Sequence, residues 1–219
     1  MPVFTQNKEF VILKNNMSNL PPHPRYNGVQ AISWSDLIAI ESNVATWYKR
    51  ATGVMDKLES PAMAFGTHVH NMIERGKLKL KGVPKGESPE ETIVATIKYK
   101  KGGKNCSFEI AGTLDDIAGG GDIILEYKTG RLLWSQQQAD DHGQLRTYAL
   151  LRKSVTGKAP TRALLISLET ANDEDAGIYL TGERRVLEVK ITALEILKIQ
   201  ARFIAAYEKA AEYIHSLEA

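Results

Sequence analysis

Asp115, Glu126 and Lys128 lie in the stretch GTLDDIAGGGDIILEYKTG, residues 112–130. Glycines 119–121 can turn the chain back on itself, so the two acids fall on neighbouring strands. Such strands run about 4.8 Å apart, close enough for two carboxylates to share one cation. Hard divalent ions such as magnesium or manganese take oxygen ligands. Residues two apart on a strand share a face, so Lys128 emerges beside Glu126. An ammonium there can orient or deprotonate an attacking water, or offset charge on a phosphate. Together these groups suit metal-assisted hydrolysis. The competing reading is a solvated Glu–Lys pair on an edge strand. The apolar run Ile123-Ile124-Leu125 argues against it, because a strand apolar on both faces is a buried one.

Two helices add polar groups. Gly66, His70 and Glu74 recur every four residues, on one helix face. Gly66 permits close approach of a neighbouring element. His70 could give an imidazole to the same cation, with Glu74 orienting it from behind. His68 competes for that role, about 200° around the helix. Downstream, Gln144 and Tyr148 are one turn apart with Arg146 between them. They can bond phosphate oxygens or stack on a base. A structural histidine and a partly buried polar helix face remain the plainer alternatives.

These groups need a scaffold. Residues 1–27, with Pro21, Pro22 and Pro24, read as an arm. Ser33-Trp34-Ser35-Asp36 pairs a helix cap with an acid three residues on. It opens a helix with Leu37, Ile38, Ile40, Val44, Trp47 and Tyr48 on its stripe and a break near Ser42-Asn43. Ser60-Pro61 opens a second helix ending at Gly76. Period-two runs predict strands over 92–99, 106–117 and 123–128, with turns at KGGK and GGGD. A helix over 134–154, a strand over 162–169, a short hairpin within 177–191 and a long helix from Thr192 to Leu217 follow. The order predicts an α/β fold with one mixed central sheet flanked by helices. A single domain over 28–219 is expected.

The chain has 219 residues, 43% hydrophobic and 25% charged, as in an ordinary soluble globule. No apolar run approaches the roughly 18 residues of a membrane span. The first residues, MPVFTQNKEFVILKNN, lack the features of a signal peptide. The single cysteine, Cys106, allows no internal disulfide and no cysteine-ligated zinc or iron–sulfur site in one chain. A reducing, cytoplasmic compartment is expected. The net charge of +2 conceals a basic segment: from Arg75 to Lys104 there are nine basic and three acidic residues. Such a segment can attract a polyanion; a solvated loop with scattered lysines is the other reading.

Four motifs in order resemble the PD-(D/E)xK nuclease superfamily in its RecB-type exonuclease branch. They are Gly66…His70 for GxxxH, Gly112-Thr113-Leu114-Asp115 for GxxD, Glu126-Tyr127-Lys128 with Thr129-Gly130 for (D/E)xK, and Gln144…Tyr148 for QxxxY. One ExK alone would be weak; four ordered motifs across 62–150 are specific. Tyr26-Asn27-Gly28…Ile32-Ser33-Trp34-Ser35 and Ser60-Pro61-Ala62-Met63-Ala64-Phe65-Gly66-Thr67 are similar to the phage and prophage exonuclease VIII group, related to lambda exonuclease. The resemblance implies a restriction-endonuclease-like αβββαβ core with a long C-terminal helix. It implies His70, Asp115, Glu126 and the Tyr127 carbonyl as ligands of magnesium or manganese, with Asp115 preferred to Asp116 because it fits GxxD. Lys128 would position or activate water, and Gln144 and Tyr148, with Arg146, would engage DNA. The implied activity is a metal-dependent DNA exonuclease acting at duplex ends, for phage-type recombination or repair. A strand-annealing protein and a ring-shaped homo-oligomer are implied partners, and no membrane. The chain lacks the four cysteines with which some relatives hold an iron–sulfur cluster. A structure-specific or restriction-type endonuclease and a catalytically silent DNA-binding module are the alternatives.

Overall fold

The computed structural model describes residues 20–56, 60–88 and 90–218; most of the expected arm lies outside them. The elements run β1 (Ala31–Ile32), α1 (Trp34–Ala51), α2 (Pro61–Glu74), β2 (Glu91–Lys101), β3 (Lys104–Leu114), β4 (Asp116–Ala118), β5 (Ile123–Gly130), α3 (Gln136–Asp141), α4 (Gly143–Thr156), β6 (Arg162–Asp173), β7 (Gly177–Lys190) and α5 (Ala193–Glu218). The α/β class expected from the sequence is present, with mixed sheets flanked by helices and a long C-terminal helix.

Helix starts follow local chemistry. Ser33 and Asp36 form a reciprocal capping box at α1, and Ser60 caps α2 ahead of Pro61, so free N–H groups in the first turns gain acceptors. The expected break in α1 falls at Asn43, which leaves helical geometry at φ −157° and ψ 102°. Its Oδ1 then accepts from Thr46 N–H at 2.9 Å, restarting the helix as a cap would.

Among the described residues the strands form two sheets, β1-β3-β2 and β4-β5-β6-β7, where the sequence predicted one. The expected strand over 106–117 divides at Asp115. Leu114 makes the last β2–β3 pair with Glu91, and Asp116 makes the first β4–β5 pair with Leu125. Between them the Asp115 carbonyl accepts from Glu90 N–H at 3.0 Å. Period-two alternation reports which face is buried, not which neighbour a strand pairs with, so the change of sheet was invisible. Three further differences have the same origin in tertiary packing. The helix over 134–154 breaks at His142 into α3 and α4. The hairpin within 177–191 is one strand, β7, antiparallel to β6 with a register shift between Leu168 and Thr170. The two-residue β1 adds a parallel pairing to β3.

β5 is an interior strand, and helices cover both its faces. Ile124 joins the core with Leu145, Leu151 and Phe203 of α4 and α5. Ile123, Leu125 and Tyr127 pack on the other face with Val69 of α2 and Ile166 of β6. Burying each large side chain contributes roughly 1.5–3 kcal/mol, which accounts for the unbroken apolar run before Glu126. β6 lies parallel to β5 in register from Ile123↔Arg162 to Gly130↔Glu169, with α3 and α4 as the crossover that parallel pairing requires.

Gly112 lets α4 approach β3. A Cβ there would lie 2.8 Å from Leu151 Cδ1 and 3.2 Å from Tyr148 Cε1. Leu151 is fully buried and Tyr148 nearly so, so neither can step aside freely. Gly112→Ala is expected to cost about 1–3 kcal/mol as an overpacking substitution. Chemical denaturation would measure it; an unchanged midpoint would show that α4 adjusts without strain.

Candidate active site

β5 delivers three groups of the site. Glu126 follows Ile124 onto the α4 side of the sheet, and Lys128 follows Glu126. Glu126 is 1% exposed. Its Oε1 lies 2.5 Å from Lys128 Nζ, and its Oε2 is buried with no hydrogen-bond partner. Burial raises the Glu126 carboxyl to about 7, the nearby Asp115 charge adds to this, and Lys128 partly opposes it. Burial pulls Lys128 down, yet the Glu126 charge and hydrogen bond outweigh it and leave the ammonium raised. Above neutral pH the two act as carboxylate and ammonium; near pH 7 Glu126 exchanges its proton.

Asp115 sits at the bend between β3 and β4. Its Oδ2 accepts from the Tyr127 N–H at 2.8 Å, so β5 orients the acid that faces it. Asp115 Oδ1 lies 3.4 Å from His70 Nδ1. His70 donates from Nε2 to the Tyr127 carbonyl at 3.0 Å, since a carbonyl can only accept. Burial lowers the imidazole, but the bond and charge of Asp115 prevail and raise it. Gly66 brings α2 close enough for this: a Cβ there would lie 3.0 Å from Thr129 Oγ1. Asp116 does a different job. Its Oδ1 accepts from Ser88 N–H at 3.1 Å, and its carboxylate occupies the space a side chain at Gly86 would need. It pins the segment before β2.

Gln144 and Tyr148 close the arrangement from α4. Lys128 Nζ donates to Gln144 Oε1 at 2.9 Å, and Gln144 Nε2 donates to Tyr148 Oη at 2.5 Å. The Tyr148 ring is buried against Gly112, so it offers no open face for stacking on a base. Burial, then the Glu126 and Asp115 charges, push its hydroxyl well above the ordinary range.

These residues line one cleft of about 660 Å³, whose wall includes Gly66, His70, Asp115, Glu126, Lys128, Gln144 and Tyr148. Some expected residues lie elsewhere. Arg146 turns away into a half-buried ion pair with Glu195 of α5 at 2.8 Å, and it also reaches the Ala139 and His142 carbonyls. Glu74 borders a small pocket beside His70, but Asp115 and the Tyr127 carbonyl are what engage the imidazole nitrogens. His68 is exposed on α2 and outside the cleft wall. The basic segment is divided. Lys101 pairs with Glu208 of α5 at 3.3 Å, while Arg184 of β7 holds the Lys81 carbonyl at 2.9 Å.

Two cleft neighbours escaped the sequence. Arg25 joins the cleft wall from a turn whose Asn27 and Gly28 take positive φ. Its N–H donates to His23 Nδ1 at 3.1 Å, and His23 Nε2 in turn reaches Asp36 at 3.0 Å. The second is His142, whose Nε2 lies 2.9 Å from Gln144 Oε1. It precedes Gln144 by two residues, and that proximity was its only signal.

The donor set fits a hard divalent ion: two carboxylates, one with a buried unpartnered oxygen, an imidazole and a backbone carbonyl. Among the described residues no three histidine, cysteine or acidic side chains already form a metal cage. Instead His70 meets Asp115 and the Tyr127 carbonyl, and Glu126 pairs with Lys128. Among the described residues no helix is long and apolar enough to cross a membrane.

Comparisons with known proteins bear on the whole arrangement. Residues 86–216 match the family model of the PD-(D/E)XK nuclease superfamily. The match includes Asp115, Glu126, Lys128, Gln144 and Tyr148; Gly66 and His70 precede it. No curated protein matches the chain. The solved structure of SSO0001 is similar over 80% of this chain and 75% of its own, at 18% identity and a TM-score of 0.49. The α/β architecture and the family match agree on a restriction-endonuclease-like fold.

Proposed function

Because the chain belongs to the PD-(D/E)XK nuclease superfamily, we propose that it is a divalent-metal-dependent deoxyribonuclease of the RecB-type branch. Its reaction is hydrolysis of phosphodiester bonds from DNA ends, in phage-type recombination or repair. The observation that carries this reading is convergence. Residues of GxxxH, GxxD, ExK and QxxxY, spread over the chain from Gly66 to Tyr148, line a single cleft.

Asp115, Glu126, His70 and the Tyr127 carbonyl would hold magnesium or manganese. Such an ion supplies a lowered pKa for a bound water and neutralises charge on the phosphate. The protein's own groups do the rest. The Tyr127 N–H holds Asp115 in place. Lys128, anchored by Glu126 and Gln144, presents its ammonium to the cleft, where it orients the attacking water and offsets charge developing on the phosphate. Arg25 at the cleft wall offers a second cation to the DNA backbone.

End-labelled linear duplex and a covalently closed plasmid test the reading together. With magnesium or manganese the linear duplex should be shortened from its ends and the closed circle left intact; EDTA should stop the reaction. Nicking of the circle would favour an endonuclease instead. No cleavage of either DNA with either metal would sink the nuclease reading.

A further inference from the structure

We propose that His142 is a positioning residue: its Nε2–H fixes the Gln144 amide so that the amide oxygen faces the Lys128 ammonium. The role in catalysis rests on the nuclease reading above; the hydrogen-bond geometry does not.

Three contacts set the direction of each bond. Gln144 has one amide atom 2.9 Å from both Lys128 Nζ and His142 Nε2. Its other amide atom meets Tyr148 Oη. A lysine ammonium carries donors and no acceptor. The atom facing Lys128 is therefore the oxygen, and His142 Nε2 must carry a hydrogen to bond the same oxygen. With that donor removed, the amide has one fewer restraint against turning over. A turned amide would set its NH₂ against the ammonium and leave Lys128 with Glu126 alone. The ammonium would then swing toward Glu126 and away from the cleft.

The imidazole is itself well held. It lies at the break between α3 and α4, edge-on to Trp134 at 4.9 Å and to Trp34 at 6.0 Å between ring centroids. Trp134 is fixed by its backbone N–H to Ser167 Oγ at 3.0 Å. Trp34 occupies space that a side chain at Gly143 would need, so glycine beside His142 is part of the same fit. Burial, followed by the Lys128 charge, lowers the imidazole to about 4 against the opposing Gln144 bond. The ring is thus neutral, with one hydrogen to place. His142 is outside the cleft wall, so it acts through Gln144.

His142→Gln, His142→Asn and His142→Phe test the idea. A glutamine amide nitrogen can stand where Nε2 stands; an asparagine amide nitrogen reaches only the Nδ1 position. In single-turnover cleavage with magnesium, the Phe and Asn variants should slow about 10- to 100-fold, and Gln should stay within about threefold of the parent. DNA affinity in EDTA and melting temperature should hold for all three. Equal slowing of Gln and Asn, or a loss in affinity instead of rate, would overturn the proposal. The Gln–Asn pair decides even if Phe misfolds. A readout independent of activity is ¹⁵N NMR of the histidine rings at neutral pH. It should show His142 as the neutral Nε2–H tautomer; the Nδ1–H form or an imidazolium overturns the proposal. A parent that cleaves no DNA defeats the nuclease reading, while the tautomer still decides the placement of Gln144.

Discussion

Lys128→Met is expected to slow the proposed metal-dependent DNA cleavage by about 10²- to 10⁴-fold in single-turnover rate. Methionine keeps the length and apolar stem of lysine and removes only the ammonium. That ammonium bonds Glu126 and Gln144 at once; Arg25 lines the cleft without pairing to either, and Arg146 is committed to Glu195. The fold should survive. Breaking a buried pair ordinarily strands a charge, but burial and Asp115 already raise the Glu126 carboxyl, which can take up a proton and stay buried as a neutral acid. Lys128→Arg should not rescue, because a planar guanidinium cannot match a point charge held between two acceptors. Rates measured beside thermal melts separate the effects. A Met variant that cleaves within about threefold of the parent would remove Lys128 from the chemistry.

Glu126→Gln is expected to make the EDTA-treated protein more stable at alkaline pH and to flatten its pH dependence. The Glu126 carboxyl is raised from 4.5 to about 7, by burial first and by Asp115 second. Between those values the folded chain keeps a proton that the unfolded chain has released. Stability therefore falls as pH rises through that window. The loss is on the order of a few kcal/mol, or roughly 5–10 °C in melting temperature for a chain of this size. Glutamine removes that titration. His70 contributes with the same sign. Although burial lowers it, Asp115 raises its folded pKa overall, so its stabilisation is also lost as pH rises, and the variant keeps a residual slope. Saturating magnesium should recover stability in the parent above neutral pH and recover less in the variant, which has lost a charged ligand. Parallel melting curves for the two proteins from pH 5 to 8 would refute the assignment of Glu126 as the strained group.

A buried carboxylate with an unpartnered oxygen beside a second acid is costly for a fold, and functional sites are where such costs persist. The local rules hold around it. Capping boxes start α1 and α3, Gly102 and Gly103 take positive φ between β2 and β3, and apolar side chains cover both faces of β5.

Most secondary structure was readable because it is written in near-neighbour interactions: caps, turn glycines and the period of apolar residues. The spacing of Glu126 and Lys128 on one strand face, of Gly66 and His70 on one helix face, and of Gln144 and Tyr148 on another needed no tertiary information. Partner choice did. Whether residues 106–117 stay in one sheet depends on what meets Asp115 from outside its strand, here the N–H groups of Glu90 and Tyr127. Arg146 and Tyr148 sit on the same helix, yet one pairs with Glu195 and the other reaches the cleft, because α5 packs over one side of α4 and β3 over the other. Arg25 joins the cleft wall from a turn far from the four motifs in sequence, and the ring that His142 turns to Gln144 is packed against the distant Trp34. Periodicity states which side of an element is buried; only packing states what it is buried against, and that decides which polar groups meet.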